Sequence, residues 1–194
     1  MKLLEEKILK DARVLPGGVL KLDSFLNQQI DVKLADEMAK EWHQLFANEG
    51  ITKIVTIEAS GIGIACIAAL RFGVPVVYAK KSRNLISSED NLTARVTSYT
   101  HGNTYNVCIA KSLISADDRI LIIDDLLANG SALSALVEVC KSGAATVVGA
   151  GIAIEKVYQG GGAGLRRRGL RIESLAKIAS VNDNGTVTFT ASEE

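Results

Sequence analysis

Ile120-Leu-Ile-Ile-Asp124-Asp125-Leu-Leu-Ala128-Asn129-Gly130-Ser131-Ala132 is the stretch that decides the fold. Ile120 to Ile123 is wholly apolar, as expected of a strand covered on both faces of a parallel sheet. Two acidic residues end it. A turn of small residues follows and opens a helix, striped by Leu133, Leu136, Val137 and Cys140. In parallel sheets, ligands bind at the carboxyl ends of the strands. The turn Ala128, Asn129, Gly130, Ser131, Ala132 would aim free backbone N–H groups, the positive end of a helix dipole and the Ser131 hydroxyl at an anion, a set that suits a phosphomonoester. Asp124 and Asp125 beside it suit vicinal hydroxyls, a bound metal or a developing positive charge. Phosphate and diol together point to a sugar phosphate.

Outward from this element the pattern alternates. Lys53 to Ile57 predicts a strand, Gly61 to Phe72 a helix, Val74 to Ala79 a strand and Thr146 to Ile154 another. Ala94 to Tyr99 and Tyr105 to Ala110 predict antiparallel strands joined by His101-Gly102-Asn103. Lys80 to Leu92 has no period and reads as a long loop. Toward the N-terminus, Leu3 to Lys10 predicts a short amphipathic helix, Pro16-Gly17-Gly18 a loop, and residues 19–30 have mixed periodicity. Asp31 is placed as an N-cap for a helix whose apolar face is Leu34, Met38, Trp42 and Leu45. Strands alternating with helices imply an α/β fold with a central, mainly parallel sheet flanked by helices.

Composition narrows the function. The chain of 194 residues carries 22 basic and 22 acidic side chains, so its net charge is zero. A nucleic-acid binder that neutralises phosphates usually has a basic excess, and no nucleic-acid partner is expected. A chain of this size buries about 70% of its surface on folding, enough for one core without staples. Cys66, Cys108 and Cys140 stand apart with no CxxC spacing, which predicts buried free thiols in a reducing compartment. Glu5 and Glu6 interrupt any export-signal core, and the near-apolar run from Ala59 to Leu70 is too short to span a bilayer. A cytoplasmic protein without membrane contact is the expectation. His43 and His101 have no metal-ligand company.

Glu58-Ala59-Ser60-Gly61-Ile62-Gly63 is a second strand-to-helix turn that offers amides to an anion. It is a near miss for a dinucleotide fingerprint: Cys66 stands where a small residue is needed, and the next strand ends in Lys80-Lys81 instead of an acid. Three cations, Lys80, Lys81 and Arg83, follow that next strand. Taken alone they read as a solvated surface, and so do Arg166, Arg167 and Arg168 after Gly160-Gly161-Gly162.

The 120–132 element resembles the ribose-phosphate signature of type I phosphoribosyltransferases. Asn129 and Ala132 replace the threonines usual in that loop, with the loss of one hydroxyl donor. The Leu-Ala-Asn-Gly form, the early run from Gly17 to Gln29 and the late Glu155-Lys156 resemble members that act on xanthine, so the similarity spans essentially the whole chain. The resemblance implies a single domain over residues 1–194. A hood, formed by roughly residues 1–35 with C-terminal residues, would cover the base, and a mobile loop of roughly residues 82–93 would exclude water. It implies transfer of phosphoribose from 5-phospho-α-D-ribose 1-diphosphate (PRPP) to xanthine, with Mg²⁺ carried on PRPP and no dedicated metal site, in a homodimer. Asp124 and Asp125 would be catalytic. Ala128 to Ala132, Glu58, Ala59, Ser60, Gly61 and Lys81 would bind PRPP. Leu20, Asn27 and Lys156 would bind xanthine. Another purine, or a non-catalytic PRPP-sensing regulator of the same fold, stays open; only about 30 residues precede the first long helix, few for a DNA-binding module.

Overall fold

The computed structural model describes residues 1–15, 19–82, 90–97, 104–182 and 184–190. The N-terminal part comprises α1 (Lys2–Asp11), the hairpin β1 (Arg13–Leu15) and β2 (Val19–Lys21), a π-helical turn Asp23–Asn27 and α2 (Val32–Leu45). Then come β3 (Lys53–Ile57), α3 (Ser60–Phe72), β4 (Val76–Ser82), β5 (Asn91–Thr97) and β6 (Thr104–Ala110). β7 (Arg119–Leu127), α4 (Ser131–Ser142), β8 (Thr146–Lys156), α5 (Gly161–Arg167), β9 (Ile172–Val181) and β10 (Val187–Phe189) complete the described elements.

Eight strands form one sheet in the order β10-β9-β8-β7-β3-β4-β6-β5. The block β9-β8-β7-β3-β4 is parallel, and its edges are antiparallel. The expected α/β architecture with a mainly parallel sheet is therefore the observed one. Period-two alternation sends Ile54, Leu121 and Ala153 to one face, where they meet Met38, Trp42 and Ile64 of α2 and α3. Val55, Ile122 and Ile152 go to the other face, against Leu133, Leu136 and Val139 of α4. Both faces are covered, which is why these strands read as continuous apolar runs. Asp31 caps α2 as expected, its Oδ1 accepting from the Leu34 N–H at 3.2 Å.

Several expectations are corrected. β7 does not stop before the acids: Asp124 pairs in register with Ile152 and Leu127 with Glu155, so both carboxylates lie inside the strand. β8 runs on to include Lys156 for the same reason. β4 starts at Val76 and continues to Ser82, because Lys80, Lys81 and Ser82 pair with Cys108, Val107 and Asn106 of β6. Leu45 is exposed and Phe46 takes its place in the core. Cys66 is exposed, whereas Cys108 and Cys140 are buried. Residues after Gly160 form α5 and two further strands, for which periodicity gave no signal. The loop expected over residues 82–93 is shorter, because Ser82 ends β4 and Asn91 to Thr93 belong to β5, paired with β6. Pro16 to Gly18, residues 83–89 of that loop, and His101 to Asn103 lie outside the described residues. No described helix is long and apolar enough to cross a membrane.

Gly151 marks how tightly β7, β8 and α2 close. A Cβ there would stand 2.7 Å from Ile123 Cδ1 and 2.8 Å from the Trp42 ring. Gly151→Val is expected to destabilise the fold by about 1–3 kcal/mol through overpacking, read as a lower urea midpoint at unchanged slope.

Candidate functional site

The parallel strands put their carboxyl ends along one edge, where Asp124 and Asp125 of β7 and Lys156 of β8 lie, with Gly61 and Lys81 close to Asp124. Asp124 and Asp125 are buried near the end of β7, 4% and 9% exposed. The Asp125 N–H donates to Asp124 Oδ1 at 3.0 Å. Burial pushes the Asp124 carboxyl well above the usual range, and the neighbouring Asp125 charge and side chain push the same way; Lys81 opposes them. Two like charges in a dry strand end cannot both ionise freely.

Next to this pair stands the turn after β3. A Cβ on Gly61 would lie 2.2 Å from Thr56 Oγ1 and 2.9 Å from Asp124 Oδ1, so only glycine lets α3 begin this close to the carboxylate. The Glu58–Ala59 peptide is cis. α3 starts without a side-chain cap, which leaves its first amides available to an anion. Glu58 ties this turn to β4: its N–H donates to Ala79 O at 3.1 Å, and its Oε1 accepts from the Lys81 N–H at 2.5 Å. Lys81 is exposed, with Nζ 6.0 Å from the Tyr105 ring centroid.

The turn after β7 holds Gly130 at φ 84°, in the left-handed region that favours glycine. Asn129 is not simply a lost hydroxyl. Its Oδ1 accepts from the Ser131 N–H at 3.0 Å and orders the turn from within. The back of the turn is closed by α5, where a Cβ on Gly161 would fall 2.3 Å from the Ala128 carbonyl oxygen.

Lys156 ends β8, one strand over. It is 9% exposed, and burial pulls its ammonium below the usual lysine range. Among the described residues no acceptor meets its Nζ. Leu20 is buried and shares one apolar cluster with Leu22, Phe25, Leu26, Ile154 and Ile178, which seats the N-terminal segment against the β8–β9 end. Asn27 is exposed at the end of the π-helical turn.

Sequence patterns missed four contributors. Tyr105 lies close enough to Asp124 for that charge, after burial, to raise its phenol. Thr56 Oγ1 is buried beneath Gly61 without a hydrogen-bond partner among the described residues. Glu155 and Arg166 form a two-pronged ion pair behind the turn after β7, so Arg166 is not part of a solvated turn. Arg167 and Arg168 are exposed. Tyr105 and Thr56 sit in ordinary strand alternation, and nothing in their spacing marks them.

Comparison with known proteins places the chain in a family. Residues 21–167 match the phosphoribosyl transferase domain family. The chain is 50% identical over 190 residues to a xanthine phosphoribosyltransferase of Ruminiclostridium cellulolyticum, covering 98% of this chain and 100% of that one. It is 51% identical over 193 residues to the xanthine phosphoribosyltransferase of Bacillus cytotoxicus, covering 100% and 98%. Among solved structures, adenine phosphoribosyltransferase from Thermoanaerobacter pseudethanolicus superposes with a TM-score of 0.73 over 90% of this chain and 99% of that one. At 23% identity this is a likeness of fold.

The raised Asp124 carboxyl has a consequence for stability. A folded value above the unfolded one means that the folded state binds the extra proton. That contribution is complete below the unfolded value, near 4, and is lost as pH rises through the folded value. Asp124→Asn is therefore expected to raise the ligand-free melting temperature at pH 7, with the gain vanishing below about pH 4. Calorimetry across that range checks the sign.

Proposed function

The chain belongs to the phosphoribosyltransferase family, and on that premise we propose that it transfers the 5-phosphoribosyl group of PRPP to xanthine, giving xanthosine 5′-monophosphate and diphosphate as a step of purine salvage, with weaker use of guanine. The whole chain, residues 1–194, is taken as one catalytic domain, its hood formed by roughly residues 1–35 with C-terminal residues. The 128–132 turn receives the 5′-phosphate on its amides, at the start of α4. Glu58 to Gly61 and Lys81 receive the diphosphate. Asp124 and Asp125 accept from the ribose hydroxyls.

The reaction needs no covalent nucleophile. The bond from the ribose anomeric carbon to the diphosphate oxygen breaks, and the electron pair leaves with diphosphate. The bond from that carbon to a purine nitrogen forms, and the proton of that N–H passes to the departing diphosphate or to solvent. Positive charge develops on the ribose between these events, beside the carboxylate pair. The free protein disfavours full ionisation of Asp124, so an adjacent cation is the partner that its environment lacks. PRPP would carry Mg²⁺ with it, an ion that would offset charge on the leaving diphosphate.

Lys156 is the observation that carries the choice of base. Its side chain is largely buried and no acceptor among the described residues meets its ammonium, so the donor is free for a ligand. The oxygen at position 6 of an oxo-purine is such an acceptor, whereas adenine presents a donor there. Leu20, by its backbone, and Asn27, by its amide, complete recognition from the hood, and Asn27 serves the oxygen at position 2. The xanthine phosphoribosyltransferases that share half the sequence support the same choice. On this reading the enzyme works in the cytoplasm, a view supported by the free thiols Cys108 and Cys140. It acts as a homodimer, for which the exposed Tyr78 and Leu113 in a groove along β4 and β6 offer apolar surface.

The test is kcat/KM for xanthine, guanine, hypoxanthine and adenine. Wild type is expected to prefer xanthine over guanine by roughly 5- to 150-fold, the effect of a donor facing a donor. Lys156→Ala should weaken all three oxo-purines together, while Asn27→Ala should change their ranking. Preference of the wild type for adenine would overturn the proposal.

A further inference from the structure

Glu155 is 1% exposed, yet it carries a charge. Arg166 holds it with both prongs of the guanidinium: Nη1 donates to Oε1 at 2.8 Å and Nη2 to Oε2 at 2.7 Å. The Ser174 hydroxyl also donates to Oε2. Arg166 Nη2 reaches the Ile172 carbonyl at 3.2 Å, so one side chain joins β8, α5 and β9. Burial pushes the Glu155 carboxyl up, but Arg166 and Ser174 more than offset it and hold it below the usual range. A buried pair of this kind is weak evidence for stability, since apolar residues of similar volume often serve a core as well. Its geometry suggests another use.

α5 is short and is held at both ends. Its last turn is fixed by the Arg166 fork. Its first residues lie directly on the turn after β7: a Cβ on Gly161 would stand 2.4 Å from the Asn129 carbonyl carbon and 2.5 Å from the Gly130 nitrogen. From the other side, a Cβ on Gly130 would stand 3.1 Å from Leu165 Cδ1 and 3.3 Å from Gly161 Cα. A Cβ on Gly162 would fall 1.9 Å from Glu155 Oε1. Gly161 is thus required by contact with the turn and Gly162 by contact with the ion pair, while Gly160 holds a left-handed φ of 73°. α5 therefore packs directly on the backbone of Asn129 and Gly130.

We propose that Glu155 and Arg166 are positioning residues: their paired geometry presses α5 against the Ala128–Gly130 turn and fixes the direction of its amides toward the 5′-phosphate. The inference rests on the reading of that turn as the phosphate cradle. It also makes β8 a link between the two halves of the site, because Glu155 braces the phosphate end while its neighbour Lys156 meets the base.

Ribose 5-phosphate, which carries the phosphate without the base or diphosphate, is the probe. Its affinity would be measured by calorimetry on wild type, Arg166→Met, Arg166→Lys and Ser174→Ala, together with kcat and the KM for PRPP. Arg166→Met keeps the aliphatic stem and loses the fork; it should weaken ribose 5-phosphate and raise the PRPP KM about 10-fold or more, with kcat at saturation changed far less. Arg166→Lys restores a charge without the fork and should recover part of the loss. Ser174→Ala removes one hydroxyl and should weaken the probe about 3- to 5-fold, which keeps the test open if Arg166→Met does not fold. A lower melting temperature with unchanged probe affinity would make the pair merely structural and overturn the inference. Absence of probe binding to wild type would overturn the phosphate reading, and this inference with it.

Discussion

Asp124 and Asp125 occupy a strand end from which water is nearly excluded, 4% and 9% exposed, beside one another in sequence. Most of the surrounding structure accommodates that placement. Gly61 allows the start of α3 to approach within contact of Asp124, bringing an uncapped set of amides to the same point. Lys81 supplies the opposing charge from β4. The sheet order sets β3 and β8 on either side of β7, so one helix-opening turn follows β7 itself, another follows β3, and a largely buried lysine ends β8. Separating the two carboxylates, or hydrating them, would remove the reason for this convergence.

Rigidity around the pair comes from close backbone packing more than from numerous polar contacts. Gly151 admits the Trp42 ring, Gly61 admits Asp124, and Gly161 admits the turn after β7. Each is a place where a side chain would separate two elements that must touch. The ion pair between Glu155 and Arg166 reaches the turn only through α5. This division is consistent with an enzyme whose work is positioning: substrates are held in line, and the protein adds charge only where the ribose becomes cationic.

Much of this was legible from the chain. Ile120 to Ala132 showed an apolar strand, a carboxylate pair and a helix-opening turn, because a strand buried on both faces leaves an unmistakable apolar run. The Leu34, Met38 and Trp42 face was legible for the parallel reason in a helix. What was hidden depended on partners distant in the chain. The acids lie within β7 because β8 pairs past them, and pairing length is not written in either strand alone. β9 mixes buried Ile172, Leu175 and Ile178 with half-buried Ser174 and exposed Lys177, so neither period dominates. Arg166 stands in a run of three identical residues, and only the packing of α5 decides which one meets Glu155. Tyr105 belongs to the site because β6 folds beside β4, a relation that no local pattern announces.

The central claim is that the carboxylate pair and the braced turn form one cradle for a nucleotide. The most direct measurement is a crystal structure of the protein with xanthosine 5′-monophosphate. The 5′-phosphate must lie on the backbone N–H groups of the 128–132 turn other than that of Ser131, which Asn129 Oδ1 engages. The ribose hydroxyls must lie on Asp124 and Asp125, and the purine oxygen at position 6 within hydrogen-bond distance of Lys156 Nζ. A nucleotide bound with its phosphate elsewhere, or with its ribose away from the two carboxylates, would contradict that claim.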